Sequence, residues 1–201
     1  MNTPSRPNDT WIGRRERLVA IGASTGGPFA VSRVLAGLPA EFSAPIVIVQ
    51  HVDERFATGM AEWLSHESRR PVRVAMEGER PVAGSTLLAK TNDHLIFKTP
   101  SRLGYTREPV DQPYRPSVDT FFDSLAQHWP GKAVGVLLTG MGRDGAQGLQ
   151  VMREKGHHTI AQDKATSAIY GMPKAAAALG AAIDVLPLEA IAARLTTLCS
   201  R

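Results

Sequence analysis

Ser24, His51 and Asp144 are of the residue types that cooperate in nucleophilic hydrolysis. A serine hydroxyl is a weak nucleophile near neutral pH and needs an adjacent base. A histidine can supply that base, and a buried carboxylate fixes the tautomer of the imidazole and stabilises the imidazolium that forms. The three residues are far apart in the sequence, so this chemistry depends on whether the fold brings them together.

The turn around Ser24 is rich in glycine. Residues 18–28 read Leu-Val-Ala-Ile-Gly-Ala-Ser-Thr-Gly-Gly-Pro, and residues 22–26 fit G-x-S-x-G, in which a turn holds a serine hydroxyl at the tip of a strand. Backbone N–H groups there could stabilise an oxyanion or bind a phosphate. The turn alone allows a structural turn, a nucleotide-binding loop or a nucleophilic serine. The second is weakened because neither G-x-G-x-x-G nor G-K-[ST] is present.

Short apolar runs alternate with segments of helical periodicity along most of the chain. This alternation predicts an α/β fold, doubly wound around a mostly parallel sheet with helices on both faces. The predicted strands are 18–21, 46–49, 72–76, 133–138, 159–161 and 182–186. The predicted helices are 29–38, 56–68, 146–154 and 188–198, with one more capped by Ser117 and one ending at 179.

The stretch between the third predicted strand and Ser117 has a different character. Two short strand-like runs, 84–90 and 94–98, are joined by Thr-Asn-Asp, which predicts a small antiparallel hairpin near residues 84–98. The polar, proline-rich residues 99–116 are then expected to form a surface loop.

In an open parallel sheet, site residues gather outside the carboxyl ends of the strands. Ser24, His51 and Asp144 each follow a different predicted strand, so they are expected on one edge of the sheet. We expect Ser24 Oγ near hydrogen-bond reach of His51, and His51 near Asp144, with distances that are somewhat loose without substrate. The chain order serine, histidine, acid differs from the order serine, acid, histidine of α/β-hydrolases, so that class is not expected.

His94 follows the predicted hairpin turn and could line the same edge as Ser24, His51 and Asp144.

Two further histidines and the cysteine content argue against a metal site. His157 and His158 precede a strand, on the opposite edge, and lack a third ligand at metal spacing. A single cysteine, Cys199, excludes a cysteine cluster and an internal disulfide and fits a reducing compartment.

Composition sets the class of the chain. Its 201 residues, 43% of them hydrophobic, are enough for one domain with a full core. The net charge of +4 comes from mixed signs along the chain, so nucleic acid is not an expected partner. No apolar run approaches the length of a membrane span, which predicts a soluble cytoplasmic protein without membrane insertion. Residues 1–17 are expected to form a disordered tail or linker, and residues 18–201 the domain.

Six sequence blocks resemble, in the right order, the catalytic domain of the CheB family, the chemoreceptor protein-glutamate methylesterases and glutamine deamidases. The resemblance covers residues 18–198. It implies that Ser24 is the nucleophile, His51 the base and Asp144 the orienting acid. It further implies that the backbone N–H of Met141 is an oxyanion donor, that Thr25 lies beside the histidine, and that no metal or cofactor is needed. The blocks are residues 21–27, 50–51, 115–119, 138–146, 161–163 and 166–173.

The resemblance implies hydrolysis of glutamate methyl esters on the cytoplasmic helices of a methyl-accepting chemoreceptor, with glutamine deamidation as a second activity. Members of the family usually carry an N-terminal phosphoacceptor receiver domain, for which residues 1–17 are too short. A naturally free catalytic domain, expected to act independently of phosphodonors, and a fragment cut from a receiver domain at the linker both remain open. The alternative from a different class is a non-catalytic nucleotide- or phosphate-binding module that uses the turn at 22–27.

At two positions where members of the family often have proline, this chain has another residue. This chain has Asp53 shortly after the histidine and Lys90 before the predicted hairpin turn. Both departures are expected to change the rim that meets the receptor and leave the three central residues untouched. Residues 90–95 and 114–122 resemble the Wsp-type branch of the family, which serves a surface-sensing pathway.

Overall fold

Seven parallel strands form the central sheet of the protein, in a computed structural model that describes residues 17–200. The strand order is β3-β4-β2-β1-β7-β8-β9, and β5 and β6 form a separate antiparallel pair. This arrangement confirms the predicted parallel sheet with a small antiparallel element. The strands are β1 (Arg17–Ala23), β2 (Ile46–Gln50), β3 (Arg73–Val74), β4 (Thr86–Leu88), β5 (His94–Thr99), β6 (Arg102–Thr106), β7 (Lys132–Leu137), β8 (His158–Gln162) and β9 (Asp184–Leu186).

Helices cover both faces of the sheet, as predicted. Along β1, Leu18 and Ala20 pack in one hydrophobic cluster, and Val19 and Ile21 pack in the other. Because successive side chains of a strand point to opposite faces, a strand covered on both sides is an unbroken apolar run. The helices are α1 (Gly27–Ala36), α2 (Glu54–Ser68), α3 (Val118–His128), α4 (Ala146–Glu154), α5 (Met172–Ala178) and α6 (Leu188–Cys199).

The two faces have different helices. The cluster containing Leu18 and Ala20 includes residues of α3, α4 and α5 together with Phe97 of the antiparallel pair. The cluster containing Val19 and Ile21 includes residues of α1, α2 and α6. The antiparallel pair therefore belongs to the same layer as α3, with Phe97 packed against Phe121 of that helix.

The antiparallel hairpin lies later in the chain than predicted. Residues 86–88 form β4, which pairs in parallel with β2 and β3 inside the main sheet. The hairpin consists of β5 and β6, and the turn between them contains Ser101 with a φ of 65°. The prediction of pairing between 84–90 and 94–98 was wrong because β4 is fully buried and needs neighbours on both edges. The segment 99–116, expected to be a loop, accordingly contains the strand β6.

The boundary of the predicted tail shifts by one residue. Arg17 already belongs to β1, where it pairs with Lys132 of β7. The rest of the predicted tail, residues 1–16, lies outside the residues that the structure describes. Among the helices within residues 17–200, none combines the length and the apolarity that a membrane crossing requires.

Candidate active site

Ser24 and His51 directly follow the ends of two neighbouring strands, β1 and β2. Ala23 and Gln50, the last residues of β1 and β2, are register partners, and the His51 N–H donates to the Ala23 carbonyl at 3.0 Å. On the other side of β1, the Ser24 N–H donates to the carbonyl of Thr139, just beyond β7, at 3.0 Å. The three central strands therefore place the serine between the histidine and the loop that follows β7.

His51 is held by Asp144, as predicted. His51 Nε2 donates a hydrogen bond to Asp144 Oδ2 at 2.7 Å, and Asp144 is only 5% exposed. The same carboxylate accepts hydrogen bonds from the N–H groups of Val118 and Asp119, at 2.7 and 3.0 Å, and from the Ser117 hydroxyl at 2.9 Å. Asp144 thus lies at the N-terminus of α3, where free N–H groups and the helix dipole stabilise an anion.

The pKa of Asp144 lies below its ordinary value. Burial acts to raise this pKa, but the hydrogen bonds from His51, Asp119 and Val118 outweigh burial and lower it. Asp144 is therefore ionised near neutral pH and can only accept from the imidazole. This fixes the proton of neutral His51 on Nε2 and leaves Nδ1 as the basic nitrogen.

The basic nitrogen of His51 is buried and has no hydrogen-bond partner among the described residues. Because Nδ1 has no partner, the hydrogen bond from Ser24 Oγ to His51 is not formed in this structure. Ser24 is half-buried and directly follows Ala23, the register partner of Gln50, so the two residues are neighbours. The approach of Ser24 Oγ to His51 stays a prediction. Catalytic hydrogen bonds are often longer in the absence of substrate.

The loop after β7 faces Ser24 with its backbone. A Cβ built at Gly140 would lie 2.8 Å from Ser24 Cβ, so only glycine allows this approach. The next residue, Met141, has a 67% exposed side chain, and its N–H donates to no acceptor within residues 17–200. A free N–H group directly after Gly140, the residue that approaches the serine, fits the predicted role of Met141 as an oxyanion donor.

Thr139 ties three loops of the site together. Its hydroxyl donates to the Thr25 carbonyl at 2.9 Å and accepts a hydrogen bond from the Ile169 N–H at 2.9 Å. Its own N–H donates to Gln162 Oε1 at 2.8 Å. Thr25 is thereby anchored through its backbone, while its side chain is exposed. Its predicted place beside the histidine stays a prediction.

Two glutamines at strand ends, neither of them predicted to have a role, support the site. Gln50 Nε2 donates to the Ser24 carbonyl at 2.9 Å, and Gln162 Nε2 donates to the Thr166 carbonyl at 2.9 Å. Both are buried. A buried amide at the end of an apolar strand must find hydrogen-bond partners, and this pattern was the available signal.

His94 has a structural role. It is fully buried; its Nδ1 accepts from the Ser117 N–H at 3.0 Å, and its Nε2 donates to the Pro109 carbonyl at 3.1 Å. The interpretation that His94 lines the edge of the site is therefore wrong. Instead, this histidine fixes the residue that caps α3, and α3 in turn binds Asp144.

Tyr114 is an aromatic residue of the site to which the sequence pattern assigned no role. Its ring stacks on the imidazole of His51, with 4.5 Å between the ring centroids and 6° between the planes. Tyr114 stands in the proline-rich segment before α3, where no periodicity marks it. Its signal was its position next to the block at residues 115–119.

A cleft of about 770 Å³ opens beside His51. It runs between the segment that precedes α2 and the segment that precedes α3. Both polar and apolar groups line it, which suits a polypeptide surface better than a small apolar ligand. The lining residues are His51, Val52, Asp53, Asn92, Asp93, Arg107, Val110, Gln112, Pro113, Tyr114 and Arg115.

Asp119 carries a perturbed carboxyl group behind the site. Burial raises its pKa to about 6, and the neighbouring charge of Asp144 also raises it. Backbone hydrogen bonds from Gly145 and from the first turn of α4 lower the pKa but do not outweigh these two effects. One of these bonds is the Gly148 N–H donating to Asp119 Oδ1 at 2.7 Å. The residue therefore binds α4 with its side chain and Asp144 with its backbone.

Comparison with known proteins agrees with this geometry. The family model for CheB methylesterase matches residues 19–195. A protein-glutamate methylesterase/protein-glutamine glutaminase 1 from Burkholderia lata is 65% identical over 181 residues, which are 90% of this chain and 54% of that relative. A protein-glutamate methylesterase/protein-glutamine glutaminase from Mesorhizobium japonicum is 58% identical over 185 residues, 92% of this chain and 55% of the relative.

Solved structures lead to the same family. The crystal structure of the Thermotoga maritima CheB methylesterase catalytic domain matches with a TM-score of 0.86 and 35% sequence identity, over 91% of this chain and 98% of that one. The chain spans about half the length of the curated relatives, yet nearly the whole of this catalytic domain. Family model, relatives and fold agree, and the chain belongs to the CheB methylesterase family.

Proposed function

We propose that this chain is a serine hydrolase that removes methyl groups from glutamate methyl esters on the cytoplasmic helices of chemoreceptors. The observation that carries the proposal is the hydrogen bond between His51 and Asp144, made beside Ser24 in a chain of this family. The names of the relatives support the substrate class.

In the first half of the reaction, Ser24 Oγ attacks the ester carbonyl and His51 Nδ1 takes the hydroxyl proton. The tetrahedral intermediate collapses, the bond to the methoxy oxygen breaks, and the imidazolium returns its proton to the departing methanol. A glutamyl ester of Ser24 remains. Asp144 stays ionised throughout and stabilises the imidazolium through Nε2.

In the second half, His51 takes a proton from a water molecule, which attacks the glutamyl ester. Collapse of the second intermediate frees the glutamate side chain and restores the Ser24 hydroxyl with the same proton. In both halves the negative oxygen faces the loop after β7, where the N–H of Met141 has no acceptor among residues 17–200. Donors fixed before the reaction stabilise this charge without reorganisation.

Glutamine deamidation follows the same route with ammonia as the leaving group. The relatives' names include this activity, and we extend it to this chain as a second activity. An amide is a poorer acyl donor than a methyl ester, so proton delivery from His51 to the leaving nitrogen matters more in this reaction.

We place the reaction in the cytoplasm, where receptor helices that carry methyl esters are accessible. The cleft beside His51 is the surface on which we expect the receptor to lie. Since the curated relatives are about twice as long as this chain, a receiver domain is the partner that we propose if the full protein is longer.

The alternative of a non-catalytic nucleotide- or phosphate-binding module draws no support from the comparisons. Packing also accounts for the small residues of the turn. A Cβ at Gly27 would lie 2.0 Å from Gln50 Oε1, and one at Gly22 would lie 2.2 Å from a methyl group of Val118. These glycines are needed whether or not a phosphate binds.

The proposal is tested by measuring methanol release from methylated receptor with the wild-type chain and with Ser24→Ala. We expect release by the wild type alone and covalent labelling of Ser24 by a fluorophosphonate. Tight binding of a nucleotide without methanol release would favour the alternative.

A further inference from the structure

The ring of Tyr114 covers one face of the His51 imidazole. The centroids are 4.5 Å apart and the planes are within 6° of parallel. Because His51 Nε2 binds Asp144 along the edge of the same ring, the imidazole is restrained both in its plane and across its face. The hydrogen bond alone would let the ring rock about the bond to Asp144.

Tyr114 also lies against the loop that follows β7. A Cβ built at Gly142 would come 2.9 Å from the Tyr114 hydroxyl oxygen, and Gly142 has a φ of 85°, which favours glycine. The tyrosine thus lies between the imidazole and the loop that presents the Met141 N–H. The ring therefore stacks on the base and leaves room for no side chain at Gly142 of the oxyanion loop.

The segment that carries Tyr114 is held at both ends. On one side, His94 donates to the Pro109 carbonyl. On the other side, Pro116 is buried and the Ser117 N–H donates to the same histidine. Tyr114 is therefore attached to the body of the domain through His94, although it lines the open cleft.

We propose that Tyr114 is a positioning residue for the hydrolysis: its ring holds the imidazole in the orientation that joins Asp144 to the nucleophile and stabilises the imidazolium formed in the transition state. The inference rests on the proposed function, since it needs His51 to act as the base. The face of an aromatic ring attracts a cation, and the effect corresponds to about 2- to 30-fold in rate. Before the reaction the imidazole is neutral and this attraction is absent. The ring therefore stabilises the imidazolium only as it forms, which raises the rate of the chemical step.

The experiment measures the rate at which a fluorophosphonate inactivates this chain, at a series of reagent concentrations. The concentration dependence gives the maximal inactivation rate and the affinity for the reagent separately. Tyr114→Leu should lower the maximal rate about tenfold, within the range given by a cation over a ring, and leave the affinity nearly unchanged. Tyr114→Phe keeps the ring and should stay close to the wild type. Asp111→Ala, an exposed change in the same segment, serves as the matched control and should label normally.

Proton NMR checks the geometry in the same proteins. The carbon-bound protons of the His51 imidazole should move downfield in Tyr114→Leu, which lacks the ring current of the tyrosine, and should keep their positions in Tyr114→Phe. Tyr114→Met gives a second non-aromatic variant of similar length if the leucine variant does not fold.

Three outcomes would overturn the inference. Wild-type labelling in folded Tyr114→Leu or Tyr114→Met would show that the ring is dispensable. A loss in Tyr114→Phe as large as in the leucine variant would assign the effect to the hydroxyl against Gly142. Absence of labelling in the wild type itself would remove the proposed function and this inference with it, which distinguishes the two failures.

Discussion

Gly140 and Ser24 approach so closely that a Cβ on the glycine would lie 2.8 Å from the Cβ of the serine. The same Cβ would lie 2.1 Å from the sulfur of Met172. Gly140→Ala must therefore push the loop after β7 away from the serine or displace α5. We expect turnover to fall about 100-fold, as for a misplacement of about 1 Å, and stability to fall by about 1–3 kcal/mol.

The control for this variant is Gly59→Ala in α2, where a Cβ would meet no atom of the described residues within 4 Å. We expect that change to leave turnover intact and to stabilise the protein by about 1 kcal/mol, because alanine is a better helix former than glycine. Chemical denaturation and methanol release measure both quantities. Wild-type turnover in Gly140→Ala would contradict the proposed role of the loop.

Ser24→Ala and His51→Ala should each lower turnover by about 10⁴- to 10⁶-fold, because residues that act as a unit lose most of the rate when any one is removed. The double variant should be scarcely slower than either single one. Multiplication of the two losses would mean that the residues act independently and would contradict the proposed mechanism.

Asp144→Asn should lower turnover by about 10⁴-fold, since an amide in this place favours the wrong tautomer of the histidine. It should also destabilise the fold. The folded-state pKa of Asp144 is lowered, so the carboxylate contributes stability above its unfolded pKa, near 3.8, and loses it as the pH falls toward the lower folded value. Urea unfolding of both proteins from pH 7 to pH 3 should show the difference shrinking below about pH 4. A constant difference would argue against an ionised carboxylate at this place.

Asp119 should give the opposite pH dependence. Its folded pKa is raised to about 6, so the folded protein binds the proton more tightly than the unfolded chain, and stability decreases as the pH rises from about 4 to 6. Asp119→Asn removes the titrating group and should flatten this part of the profile. An unchanged slope between these pH values would show that Asp119 is not its source.

The positions of Ser24, His51 and Asp144 could be predicted because the carboxyl ends of parallel strands share one edge, and the apolar runs before the three residues mark those strands. Tyr114 could not be predicted, since its stack on His51 depends on the path of a segment without periodicity. The hairpin was misplaced because Thr-Asn-Asp at 91–93 is typical of a turn, whereas the turn between β5 and β6 lies at residues 100–101. What separates the two is the burial of β4 between two other strands, a long-range property that local sequence does not carry.

The carboxylate of Asp144 also closes the first turn of α3, whereas the Ser24 side chain makes no hydrogen bond within the described part of the chain. The two residues therefore differ as sites for making an inactive protein. Removing the serine hydroxyl leaves the architecture untouched and yields a reagent that retains its docking surface, suitable for capturing a receptor in complex. Removing the carboxylate loosens a helix terminus at the same time, so loss of turnover in a cell would be mixed with loss of the protein to degradation.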